Sequence, residues 1–172
     1  VRLVGPGTDL TMSIKDRTSI VDDGVHNMPG GEVFTAPIEG SVEGDVYFDL
    51  PAIAYGKEVM EIRLRFEGGE IVDLSAGKNE ALLRSMVDTD RGSRKLGELG
   101  VGMNRRIDRF TKNILFDEKI GNTIHLAIGR AYRECGGTNE SAIHWDMIKT
   151  MEPGRIVVDG EAVYRDGRFR WE

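Results

Sequence analysis

The sequence predicts an α+β fold, mostly antiparallel β-sheet with a few helices. Three observations carry that prediction. Short runs alternate apolar and charged residues, the 22 glycines gather at turns between those runs, and stretches with a helical stripe are few. Alternation at period two marks half-buried strands, and glycine-marked turns at close spacing favour hairpins and meanders over long helices.

The chain opens VRLVGPGTDL, a strand-like run bent at Gly5–Pro6–Gly7. It begins without methionine and without a charged-then-apolar secretory pattern. The expectation is a portion of a longer polypeptide whose N-terminal part is missing. Pro29–Gly30–Gly31 is a second turn, and residues 41–50, SVEGDVYFDL, form a strand. Residues 58–74 predict a hairpin: Ile62, Leu64 and Phe66 alternate with charges, and Glu67–Gly68–Gly69–Glu70 reverses the chain. Residues 78–90 predict a helix with Leu82, Leu83, Met86 and Val87 on one stripe. Ser141–Lys149 is ambiguous between helix and strand. The tail from Arg155 predicts a small meander with Asp159–Gly160 and Asp166–Gly167 as turns. No repeat, low-complexity segment or linker interrupts the 172 residues, so one domain, or one with a small appendage, is expected.

With 40% hydrophobic and 30% charged residues, this is the composition of a soluble globular protein. A net charge of -6 argues against nucleic acid as the main partner. No apolar run approaches the ~20 residues of a membrane span. One cysteine, Cys135, allows no internal disulfide, which points to a reducing, cytoplasmic compartment. Beside Gly136–Gly137 it is better explained as a small buried hydrophobe than as a ligand for a soft metal.

The chemistry concentrates in Glu118–Asp146, which holds two of the three histidines. His144-Trp145-Asp146 is an H-x-D motif. On an extended segment both side chains share a face and reach one metal or two adjacent ones, while Trp145 faces away into packing. Taken alone, the motif is better explained as a solvated pair or an oriented structural histidine. His125 and Tyr132 are seven apart. If Ile124–Cys135 is helical they lie two turns apart on one face, with Ala127 and Ala131 allowing close packing. A tyrosine beside a ligand histidine suits stabilisation of an oxyanion; a core histidine and a half-buried tyrosine are the plainer explanation. Glu32 in NMPGGEVFTAP and Glu98 in LGELGVGMN are acids enclosed by glycine and apolar residues. Burying an unpaired carboxylate is costly, and a metal would settle that cost; a turn or cap role is the alternative. Glu118 stands seven residues before His125 and is a candidate base or ligand, or equally a solvated charge. His26 is best explained as a surface-loop residue. Imidazole and carboxylate together suit zinc, cobalt or manganese. The glycine turns GPGTDL and Gly100-x-Gly102-x-Asn104 lack the strand-to-helix setting of a dinucleotide site, and no Walker loop, H-E-x-x-H or G-x-S-x-G occurs.

The runs NMPGGEVFTAP, LGELGVGMN, EKIGNTIHLAIGRAY and GGTNESAIHWDMI resemble the thermophilic metallo-aminopeptidase family, typified by aminopeptidases T and S. The resemblance runs from GPGTDL to the end of the chain. It implies that residues 1–172 are the C-terminal, metal-bearing catalytic domain, with no counterpart of the family's N-terminal domain. Carried over residue by residue, it implies that Glu32, Glu98, His125, His144 and Asp146 hold two divalent ions (Zn, Co or Mn), one glutamate bridging. Tyr132 would stabilise the transition state, and Glu118 would be a general base or extra ligand. Asn122 stands where glycine is more usual. The implied activity is removal of the first residue from a peptide with a free N-terminus, through a water activated by both metals. Homodimers are implied as well. Two other classes stay open: a relative that keeps the fold and binds metal or peptide without turnover, and a metal-independent hydrolase using Glu32 and Glu98 as paired carboxylates. The second leaves the histidines without a role.

Overall fold

Alternating strands become a sheet only if one face finds a partner layer, and here two sheets supply it to each other. A computed structural model describes residues 1–25 and 27–172; His26 lies outside the described residues. In chain order the strands are β1 (Arg2–Gly5), β2 (Thr8–Thr11), β3 (Ile20–Asp22), β4 (Glu32–Thr35), β5 (Glu43–Phe48), β6 (Ala52–Ala54), β7 (Lys57–Val59), β8 (Ile62–Glu67) and β9 (Glu70–Ser75). Helix α1 (Glu80–Val87) leads to β10 (Leu96–Gly102), and the one-turn α2 (Ile114–Asp117) leads to β11 (Thr123–Gly129) and β12 (His144–Thr150). The meander β13 (Arg155–Val158), β14 (Glu161–Arg165) and β15 (Arg168–Phe169) closes the chain.

An eight-stranded antiparallel sheet has the order β15-β14-β13-β1-β2-β5-β8-β9, and a five-stranded one has the order β12-β11-β10-β4-β3. Their apolar faces share one core. Leu3, Leu10, Val46, Phe48, Leu64 and Phe66 come from the larger sheet, and Leu99, Ile124, Leu126, Ile128 and Met147 from the smaller. The fold is α+β and mostly antiparallel, as the alternation predicts.

The β8–β9 hairpin turns at Gly68–Gly69, both at positive φ, the conformation a tight hairpin demands. The predicted helix is α1, which buries Leu83, Met86 and Val87 and half-buries Leu82. Ser141–Lys149 resolves as strand from His144 onward, in β12. The helix considered for Ile124–Cys135 does not form. β11 runs to Gly129, and after a turn only Arg133–Cys135 makes a 3-10 turn. Every residue of β11 is buried, so TIHLAIG shows no polar face by which a strand could be told from a helix. Cys135 is buried with Ala36 and Ala131, a small hydrophobe as expected.

Candidate metal centre

The smaller sheet hides one face in the core and turns the other toward the ionisable groups. Antiparallel register lines them up: Glu98 lies opposite Ala127, which lies opposite Asp146, and Gly100 lies opposite His125. A register shift between Leu96 and Glu98 re-aims the start of β10. The glycines around Glu98 have a steric purpose, because a Cβ on Gly100 would sit 1.9 Å from His125 Nε2. His125 lies across β10 only because nothing projects there. Asn122, just before β11, has φ 64, the left-handed region that favours glycine and tolerates asparagine.

Five groups converge. His125 Nε2 lies 3.1 Å from Glu32 Oε2 and 3.3 Å from Glu98 Oε1. His144 Nε2 lies 2.9 Å from Glu98 Oε2 and 3.7 Å from Asp146 Oδ2. Glu98 thus offers one oxygen to each histidine. His144 Nδ1 donates to the Arg130 carbonyl at 2.7 Å, which fixes the ring and leaves Nε2 on the carboxylate side. Three groups of side chains could each hold an ion: Glu32, Glu98 and His125; Glu98, His144 and Asp146; Glu118, His125 and Asp146. Glu32, Glu98 and His125 are buried, with His125 fully so. Trp145 turns away as expected and donates its indole N–H to the Ile53 carbonyl at 2.9 Å.

The electrostatics are those of a site crowded with negative charge. Burial raises Glu98, but hydrogen bonds from His125 and His144 outweigh it and hold the carboxyl down at about 2. Burial and the charge of Glu98 push Asp146 up to about 6. Burial pushes Glu118 up to about 7. Burial works against the charge on His144, yet Glu98 and Asp146 raise it to about 9; His125 is raised well above the ordinary range by Glu32 and Glu98. Tyr132 is raised by burial and by the surrounding carboxylates, so its phenol stays a hydrogen-bond donor. Its ring lies 5.0 Å from His144 and 5.1 Å from Phe34.

The donor set fits a divalent cation. Asp146 Oδ1 is buried without a hydrogen-bond partner among the described residues, and Glu32 Oε2 has the His125 ring nitrogen 3.1 Å away but not in hydrogen-bonding geometry. An unsatisfied buried carboxylate oxygen is costly, and a cation settles it. Mixed imidazole and carboxylate is the chemistry of zinc, cobalt and manganese sites.

Two residues here carry no sequence signal. Lys119 is fully buried, with Nζ 2.9 Å from Glu32 Oε1, 3.6 Å from Asp22 Oδ2 and in contact with Glu118 Oε1. Asp117–Glu118–Lys119 reads as a solvated charge run. Only the docking of this turn against β3 and β4 shows that Lys119 and Asp22 are interior.

The chain and its fold have relatives. The chain is 37% identical to aminopeptidase AmpS of Bacillus subtilis over 95% of its length, and 33% identical to aminopeptidase T of Thermus aquaticus over 97%. It spans about half the length of these relatives, 47% of each. The solved structure of wild-type AmpT from Thermus thermophilus superposes with a TM-score of 0.85 at 33% identity, covering 98% of this chain and 49% of that one. The structure of 2,5-dihydroxypyridine dioxygenase from Pseudomonas putida KT2440 superposes at 0.80 with 20% identity, covering 98% and 54%; that likeness is one of fold alone. A model of the thermophilic metalloprotease (M29) family matches residues 1–169. The chain belongs to the thermophilic metalloprotease (M29) family.

Proposed function

We propose that residues 1–172 form the catalytic domain of a metal-dependent aminopeptidase that removes the first residue of a peptide with two divalent ions held by Glu32, Glu98, His125, His144 and Asp146. The observation that carries this reading is the placement of Glu98, one oxygen toward each histidine, with Glu32 beside His125 and a buried, unpartnered Asp146 oxygen beside His144. The acid-rich composition of the cluster favours bound cations. Among the described residues Asp22, Glu32 and Glu118 gather around the Lys119 ammonium, while Glu98 and Asp146 have no lysine or arginine beside them, so the cluster is rich in acids. Zinc, cobalt and manganese all suit the set.

Such ions, when bound, lower the pKa of a shared water and polarise the scissile carbonyl. The chain does the rest. Glu98 spans the two halves of the centre, and Arg130, through His144 Nδ1, keeps the ring aimed inward. Glu118, near 7, suits the role of proton carrier, accepting a proton from the attacking water and returning it to the leaving amine. Lys119 stays charged and holds Glu118 and Glu32 in place. Tyr132 donates to the developing oxyanion. The free α-amino group of the substrate suits this acidic surrounding, which restricts cleavage to the first residue. A cytoplasmic location and a homodimer belong to the same proposal. A two-carboxylate mechanism without metal is disfavoured, because His125 sits within 3.3 Å of both Glu32 and Glu98.

The test is elemental mass spectrometry on the purified chain and on His144→Ala, with hydrolysis of amino-acid amides under added cobalt or zinc. The expected result is about two ions per chain, about one in the variant, and metal-dependent turnover. No bound metal after reconstitution, or turnover that survives chelation, would overturn it.

A further inference from the structure

β12 is an outer strand of its sheet. Antiparallel pairing sends backbone groups alternately toward and away from the neighbouring strand. Ile143 O accepts from Arg130 N, and Met151 N donates to Asn122 O, so the odd-numbered positions face β11. The even-numbered ones face outward, and at one end Thr150 N meets Asp49 Oδ1 at 2.9 Å. The N–H and C=O groups of His144, Asp146 and Ile148 therefore point off the outer edge, and none has a hydrogen-bond partner among the described residues; His144 and Asp146 are part-exposed and Ile148 is buried.

His144, Asp146 and Ile148 also line a slot of about 510 Å³. Ile53 of β6 lines it too, with Phe110, Lys112 and Ile114. The bond from Trp145 to the Ile53 carbonyl ties β6 beside the strand. An uncovered strand edge is a template for another extended chain, and folded proteins leave one open at a cost in aggregation. Here the two residues that project candidate ligands onto the sheet face, His144 and Asp146, line the slot and have unpartnered backbone groups on the same strand edge.

We propose that the slot binds the main chain of the peptide substrate as an added strand. The residues after the scissile bond extend along β12 and exchange hydrogen bonds with His144, Asp146 and Ile148. The inference rests on the aminopeptidase reading above. It names the substrate class: extended, unstructured peptides of three or more residues, held through their backbone and with little regard to side chain. Chain ends locked in a folded structure do not fit.

The test uses the metal-loaded chain. Leucinamide is compared with leucyl di-, tri- and tetrapeptides, then with tetrapeptides N-methylated at one residue at a time. Amide hydrogen exchange is followed with a tetrapeptide whose first peptide bond is reduced to an amine. The expected results are a KM that falls with each residue up to three or four while kcat holds, and a loss of about fivefold in kcat/KM for N-methylation at alternate positions only. His144, Asp146 and Ile148 amides gain protection with the uncleaved analogue. Turnover that ignores length, with those amides unprotected, overturns the slot and leaves the aminopeptidase reading standing. Protection without turnover or metal keeps the slot and sinks that reading. Failure of both sinks both.

Discussion

The two faces of the five-stranded sheet are made by neighbouring residues with opposite fates. His125 and Leu126 are adjacent in β11 and both fully buried, yet one enters the cluster of carboxylates and the other the core between the sheets. Glu98 and Leu99 repeat the contrast in β10. Burial therefore does not separate structure from function in this molecule. What separates them is what the side chain meets: dispersion partners on one face, and on the other a cluster of ionisable groups. The two faces should fail differently when cut.

The largest effect is expected at Glu98, which is shared by two of the three candidate ligand groups. Glu98→Gln should lower metal content toward zero and turnover by more than about a hundredfold, beyond what outer-shell changes cost; elemental analysis and amide hydrolysis read both. On the opposite face, Leu126→Ala should destabilise the fold by about 2–5 kcal/mol in denaturant titrations. Metal content per folded chain should stay as in the parent. If Leu126→Ala also empties the site, the faces are coupled and the contrast drawn here fails.

Lys119→Met removes the ammonium from between Glu32 and Glu118. Breaking a buried pair in this way costs about 3–5 kcal/mol when nothing replaces the charge. The metal-stripped variant should suffer most and the loaded one least, so the gap in Tm between the two forms should widen. An unchanged gap would mean that Lys119 serves packing alone.

The smallest effect concerns protons. His144 sits at about 9, raised above its ordinary value, so its charge stabilises the metal-free chain fully below about 6.5, and that contribution fades as pH rises through about 9. A metal ligand must be the neutral imidazole. Metal uptake should release protons and tighten as pH climbs toward 9, by at most about tenfold per unit for each proton displaced. Calorimetry in buffers of different ionisation enthalpy counts those protons. A pH-independent affinity would remove His144 from the ligand set.

Much of this was legible without coordinates. The hairpin at Gly68–Gly69, the tail meander and α1 follow from local rules, since alternation, turn dipeptides and a helical stripe act over a few residues. The H-x-D spacing gave His144 and Asp146 one face as soon as β12 was extended. The glycines of LGELGVG marked Glu98 as unusual, but the reason, a histidine ring lying over Gly100, comes from the strand next door.

The sequence by itself determined the antiparallel α+β architecture and the residue types that suit a divalent metal, because periodicity and side-chain chemistry are properties of short segments. Only the tertiary structure decided that β11 is a strand, that Glu98 stands between two histidines, and that Lys119 and Asp22 are interior. It also decided that the outer-edge backbone groups of β12 have no partner among the described residues. Each of these depends on which strands become neighbours, and pairing residues dozens of positions apart is settled by the burial of whole faces together, which no local pattern records.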